Sequence, residues 1–298
     1  MTTDATLARL VWQFGEPVQA VAYYVPEVRR RTDELGLKGG WMSYFGCRAA
    51  PLGSVAPAVV CAVFYNFHPR MVYRAIPDAW ALASPAQLLD ARLEVIDEAL
   101  LRLLGDVESA EVRRAADLAR AAVEGGDYSG RPLGAANAAL PAPSAAHLSL
   151  WQSLTTLREY RGDGHVASLV EALVSPCAAL VLQTATGRSD PDALRANRGW
   201  TEDEWATAVD GLQTRGWIDS SGAVTEAGRA ARDDLEDTTD QLAAPIVAGI
   251  GIEAAGELVR VLRPLAERVM ASGTVPALNN IGFPWPPTAR AHDEQGLQ

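Results

Sequence analysis

Gly199-Trp200-Thr201-Glu202-Asp203-Glu204-Trp205 opens the stretch that decides the fold, and Arg215-Gly216-Trp217-Ile218-Asp219-Ser220-Ser221-Gly222-Ala223-Val224-Thr225-Glu226-Ala227-Gly228-Arg229 completes it. Thr201 can cap a helix with its hydroxyl, and Glu204 three residues on can reach back to the cap amide. Trp205, Ala208, Val209 and Leu212 then share one helical face. Gly216 follows as a left-handed stop. Trp217 to Val224 predicts two short strands about a Ser-Gly turn. Thr225 caps a further helix.

This order of helix, Arg-Gly-Trp strand, turn, Val-Thr strand and Glu-x-Gly-Arg helix resembles the winged helix of MarR-type regulators. The resemblance covers roughly residues 165–235, with the winged helix itself at about 195–235. It implies that the helix before the wing enters the DNA major groove. Such a helix needs Arg, Lys, Asn or Gln toward the bases and positive charge toward the phosphates. Here it offers Glu202, Asp203, Glu204 and Asp210, with Gln213 as its one amide and Arg215 as its one cation. Asp219 stands on the expected wing, and only Arg229 and Arg232 favour a phosphate. A DNA-binding surface must neutralise phosphates, and this one would repel them.

Working outward, helical periodicity dominates. Leu7, Leu10, Val11, Phe14, Val18, Val21 and Val25 predict a helix that Pro17 and Pro26 kink or divide. Ser84-Pro85 starts another, which carries Leu89, Leu93, Ile96, Leu100 and Leu103 on one face and stops at Gly105. Arg161-Gly162-Asp163-Gly164-His165 reads as a break between two apolar helices. Pro57-Ala58-Val59-Val60 with Trp80 and Ser84 is faintly echoed by Pro176-Cys177-Ala178-Ala179 with Trp200 and Thr201. That suggests a duplication, although helical chains also resemble one another without one. The expected fold is therefore mainly α: two related helical halves, the C-terminal one containing the MarR-like winged helix with a short two-stranded wing. The expected division is an N-terminal helical domain over 1–125, a connecting segment over 126–146 that is rich in Gly and Pro, a C-terminal helical domain over 147–288, and a disordered tail over 289–298.

Composition bounds the function. The 298 residues are 48% hydrophobic, enough for a full core. The net charge is −11, and Lys38 is the only lysine, so positive charge is almost all arginine. An acidic surface disfavours nucleic acid and anionic membrane. No apolar stretch approaches the ~18 residues of a membrane span, and the N-terminus lacks a signal-peptide pattern, so the expected location is cytoplasmic. Cys47, Cys61 and Cys177 form no disulfide framework. Cys47 beside Arg48 is a candidate for a lowered thiol pKa.

Two polar clusters could carry chemistry. Arg158, Glu159, Arg161, Asp163 and His165 crowd together; an Asp two residues before a His can orient its ring as a general base, and arginines suit a carboxylate or phosphate. The catalytic candidates are thus His165 and Asp163, and Arg158, Glu159 and Arg161 are ligand-binding candidates. The competing structural explanation is an arginine–carboxylate lock. Tyr44, Arg48, Tyr65, Asn66 and His68 form the second cluster, a pocket wall or an aromatic core with polar tips. A cleft shared by both clusters is expected to be lined by Arg161, Asp163, His165, Tyr44, Arg48, Tyr65 and His68. No metal-ligand spacing, phosphate loop, dinucleotide fingerprint or nucleophile elbow is present, so no metal and no cofactor are expected.

Trp41-Met42-x-Tyr44-Phe45, Arg48-Ala49-Ala50-Pro51-Leu52-Gly53, Phe64-Tyr65-Asn66-Phe67, Arg158-Glu159-x-Arg161-Gly162-Asp163-Gly164-His165 and Arg198-Gly199-Trp200-Thr201 together resemble actinobacterial helix-turn-helix proteins of the SalK-like type. That resemblance spans nearly the whole chain and implies architecture more than activity. The favoured reading is a small-molecule-binding protein that has lost DNA binding, with a metal-independent enzyme kept open, no nucleic acid or membrane as partner, and a homodimer left open. The alternative is a ligand-responsive regulator of MarR type. A third reading is an interaction module with a basic partner.

Overall fold

The computed structural model describes residues 3–187 and 189–287, and the tail expected over 289–298 lies outside the described residues. The order is α1 (Asp4–Tyr24), α2 (Pro26–Glu34), α3 (Gly39–Ala49), α4 (Pro57–Val63), α5 (Pro69–Ala75), α6 (Asp78–Leu82), α7 (Pro85–Leu104), α8 (Ala110–Glu124), α9 (Pro132–Ala138), α10 (Ala146–Glu171), α11 (Pro176–Ala185), α12 (Pro191–Arg198), α13 (Glu202–Thr214), α14 (Glu226–Ala248) and α15 (Ile252–Ala271). Local chemistry sets many of these ends. Ser84 with Gln87, and Thr201 with Glu204, each form a reciprocal capping box. Pro26, Pro85 and Pro176 occupy first turns, where a missing amide costs nothing.

The principal core is built from both ends of the chain. Leu7, Val11, Phe14, Val18 and Val21 of α1 are buried with Leu150 and Leu154 of α10, Ile246 of α14, and Leu258, Leu262 and Leu265 of α15. Each such side chain contributes roughly 1.5–3 kcal/mol on burial. Thus α1 sits against α10, α14 and α15. A second cluster gathers Phe45, Val60, Phe64, Phe67, Val72 and Leu88 from α3 to α7. A third joins Leu169, Cys177, Val181, Leu212, Ile218 and Leu235 around α11 and α13.

Three expectations about the fold are corrected. The helices do not group as two halves, because α1 packs with the last two helices. The two-stranded wing is also absent: among the described residues there is no strand, only an isolated bridge between Ile218 and Val224. The reason is local. The Asp219 carboxylate accepts from the Ser221 amide at 2.8 Å and the Ala223 amide at 3.0 Å, closing a tight turn. Thr225 then caps α14 through the Gly228 amide, so the returning arm ends before a ladder can form. The break expected at 161–165 is missing too, and α10 runs straight through it. Gly164 serves closeness rather than a bend: a Cβ there would collide with the Arg131 guanidinium. Arg131 lies 4.6 Å over the Tyr160 ring and donates to the Leu242 carbonyl at 2.7 Å, tying α10 to α14.

No single helix among the described residues is long and apolar enough to cross a membrane.

Candidate functional site

A cavity of about 590 Å³ lies among α1, α3, the α4–α5 loop, α10, α11, α12, α14 and the segment after α15. That volume falls within the range of small-molecule sites, roughly 300–1,000 Å³. Of the residues expected from sequence, Tyr44, Arg48, Tyr65, Asn66, Arg158, Glu159, Arg161 and His165 line it. The two clusters, one ending at Asn66 and the other starting at Arg158, thus share one wall. Asp163 and His68, also expected there, do not line it.

Glu159 is the hub of the floor. It accepts both forks of Arg48 at 2.9 Å and Nη1 of Arg158 at 2.9 Å. Burial pushes its carboxyl up, but Arg158 and Arg48 outweigh burial and hold the pKa at about 2. Arg48 also donates to the Tyr44 hydroxyl at 3.0 Å and lies 4.2 Å over the Phe64 ring. Arg158 reaches Glu16 Oε1 at 3.5 Å, and Trp12 Nε1 donates to Glu16 Oε2 at 2.9 Å. Burial raises the Glu16 pKa. Arg161 donates to Asp240 at 2.6 Å and to Glu236 at 3.2 Å, with its guanidinium 4.6 Å over Trp12. Much of the expected arginine–carboxylate lock therefore exists, and it also forms the cavity wall.

The expected Asp163–His165 pair does not form. In a continuous helix, residues two apart point about 200° away from each other. Asp163 turns to α9, where it accepts from the Gly134 amide at 2.9 Å, and burial lifts its pKa to about 6. His165 instead meets Thr239 Oγ1 through Nδ1 at 3.0 Å. The Thr239 hydroxyl donates to the Leu235 carbonyl at 2.7 Å, so it accepts from the imidazole. Nδ1 then carries the proton and Nε2 the lone pair. Burial lowers the His165 pKa, which favours this neutral ring. The orienting partner is a threonine from α14 rather than the neighbouring aspartate.

His68 holds the helix-turn-helix. Its Nδ1 accepts from the Arg70 amide at 3.0 Å, so Nε2 donates to Glu204 at 2.9 Å. The His68 amide donates to the Arg198 carbonyl at 2.9 Å, and Trp200 Nε1 donates to the Asn66 carbonyl at 3.0 Å. Gly199 turns at φ 81°, and a Cβ there would meet Met71 Sδ at 2.5 Å. The Tyr65 hydroxyl donates to the Val174 carbonyl at 2.7 Å, so its ring, not its oxygen, serves the cavity. Cys47 is buried with its thiol pKa pushed up to about 11, which removes it as a nucleophile.

Sequence reasoning missed Glu16, Tyr23, Tyr24, Arg198, Glu236 and Thr239 on the cavity wall. Glu16 had a usable signal: a carboxylate on an otherwise apolar helix must find a partner. Arg198 had none, since its role depends on the chain after α15.

No curated protein and no solved structure matches this chain. A helix-turn-helix family model matches residues 8–276. The match includes α12 and α13, two helices joined by the three-residue turn Gly199-Trp200-Thr201. The chain belongs to the helix-turn-helix family.

Proposed function

We propose that this protein binds a small molecule in the 590 Å³ cavity, on a helix-turn-helix scaffold that no longer reads DNA. The observation that carries the reading is the cavity wall, where Arg48, Arg158, Arg161, Arg198 and Arg232 stand among aromatic side chains. The outer face of α13 supports its second half. Glu202, Asp203, Ala206, Thr207, Asp210, Gly211 and Thr214 are exposed there, with no cation among them. The nearby arginines are engaged: Arg215 donates to the Leu173 and Ala172 carbonyls and lies 3.7 Å over Trp217, and Arg229 donates to the Val224 carbonyl. If the ligand is also transformed, His165 Nε2 is the base.

A second reading, a ligand-responsive DNA-binding regulator, is favoured by one observation. Asn66 both lines the cavity and holds Trp200 at the start of α13, so ligand and helix share a residue. Native mass spectrometry of the purified protein tests the first reading. The expected result is a bound species that leaves on denaturation. A bare protein mass, together with DNA retention that falls steeply with salt, would replace the first reading with the second.

A further inference from the structure

Three of the cavity arginines are already neutralised. Arg48 places both forks on Glu159, Arg158 is shared between Glu159 and Glu16, and Arg161 sits between Asp240 and Glu236. Arg198 differs. Its side chain donates to the Asn197 amide oxygen and to the Asn280 carbonyl at 2.7 Å, both neutral acceptors. Among the described residues no carboxylate lies within ion-pair distance of it. Its guanidinium rests 4.5 Å over the Phe67 ring, and Phe67 stands edge-on to Trp41 with ring centroids 5.5 Å apart. Burial, and then the charges of Arg48 and Arg158, press its pKa down, against the attraction of Tyr44 and Tyr24. A cation held in that state is relieved by an incoming anion. The same wall holds an unmet acceptor: Asn66 Oδ1 is buried and has no donor. A buried acceptor without a donor costs about 1–3 kcal/mol, which a ligand N–H or O–H would recover.

Building on the small-molecule reading, we propose that the cavity takes an aromatic anion whose carboxylate, sulfonate or phosphate sits on Arg198 and whose ring lies against Phe67 and Trp41, with an N–H or O–H reaching Asn66 Oδ1. The volume asks for more than one ring, since a single benzene ring would leave most of 590 Å³ unfilled.

A matched dye pair tests this. 1-Anilinonaphthalene-8-sulfonate carries two aromatic units, an N–H and one anionic group, and N-phenyl-1-naphthylamine is the same molecule without the sulfonate. Fluorescence titration is expected to show one site per chain for the anion, with affinity about tenfold above the neutral twin, the scale of one charge-assisted hydrogen bond. Arg198→Gln is expected to remove that preference while leaving the neutral dye within about threefold of wild type; Arg198→Lys, which keeps the charge, is expected to retain most of it. Equal binding of the two dyes, or a preference for the neutral one, overturns the anion assignment and leaves the small-molecule reading standing. An anion preference that survives Arg198→Gln overturns the placement on Arg198. Binding of neither dye overturns both readings. If Arg198→Gln fails to fold by circular dichroism, Arg198→Met, which keeps an apolar stem over Phe67 without the charge, takes its place in the same comparison.

Discussion

Five arginines and three glutamates line the cavity, whereas the outward face of α13 carries Glu202, Asp203 and Asp210 and no cation. The chain has 26 basic residues to place, and these two regions show where they matter. Inside, charges are desolvated, so each pair is strong and each orphan is expensive. Outside, water screens them and their individual worth is small. A DNA reader would invert the arrangement, with arginines on the exposed helix and apolar packing within. The difference teaches that membership of a helix-turn-helix family fixes a scaffold, while the placement of charge decides what the scaffold can hold.

The largest test is Glu159→Ala. It strands Arg48 and Arg158 without their shared partner, in a site where the Glu159 side chain is 1% exposed. Breaking a buried pair from one side costs about 3–5 kcal/mol. Urea denaturation measures it, and a loss below 1 kcal/mol would erase the contrast between the two regions. Next is Asp163→Asn. A folded pKa of about 6 lies above the ordinary 3.8, so the folded protein holds this proton more tightly. Its contribution is fully present below 3.8 and is lost as pH rises through about 6. The stability difference, wild type minus variant, should therefore fall by up to about 3 kcal/mol between pH 4 and 7. A difference that stays level across that range contradicts the burial argument. The smallest effect belongs to the triple change Glu202→Gln, Asp203→Asn and Asp210→Asn. Its melting temperature should stay within about 3 °C of wild type. A fall comparable to that of Glu159→Ala would mean that the outer face is not the inexpensive one.

Legibility in the sequence followed range. Capping at Ser84–Gln87 and Thr201–Glu204 acts over three residues and could be read directly. The polar cluster at 158–165 was visible because it is dense within one helix, and that of Tyr44, Arg48, Tyr65, Asn66 and His68 because aromatic and polar residues alternate at the ends of apolar stretches. A cleft shared by the two was expected from the faint duplication, but its contacts were not legible, because they depend on how α3 meets α10 so that Arg48 reaches Glu159. Asp163 and His165 misled for a geometric reason: closeness in sequence suggested a dyad that the helical repeat forbids. The Trp217–Val224 arms carry strand-forming residues, but the Asp219 turn and the Thr225 cap leave too little chain between them for a ladder. Gly164 looked like a breaker because one sequence cannot tell a glycine that bends a helix from one that lets Arg131 approach.

The seat of α1 has a consequence for how the chain comes into being. Synthesis delivers α1 first, yet it packs on α14 and α15, which arrive more than 200 residues later. At 5–20 residues per second, Leu7, Val11, Phe14 and Val18 wait on the order of ten seconds or more before α14 and α15 exist, with α10 arriving in between. Closing so long a loop is entropically slow, so the docking of α1 falls late in folding. For that interval the nascent chain presents an apolar helix to the cell, a natural handle for a chaperone. Arg9 joins Asp237 and Asp240 only when that wait ends.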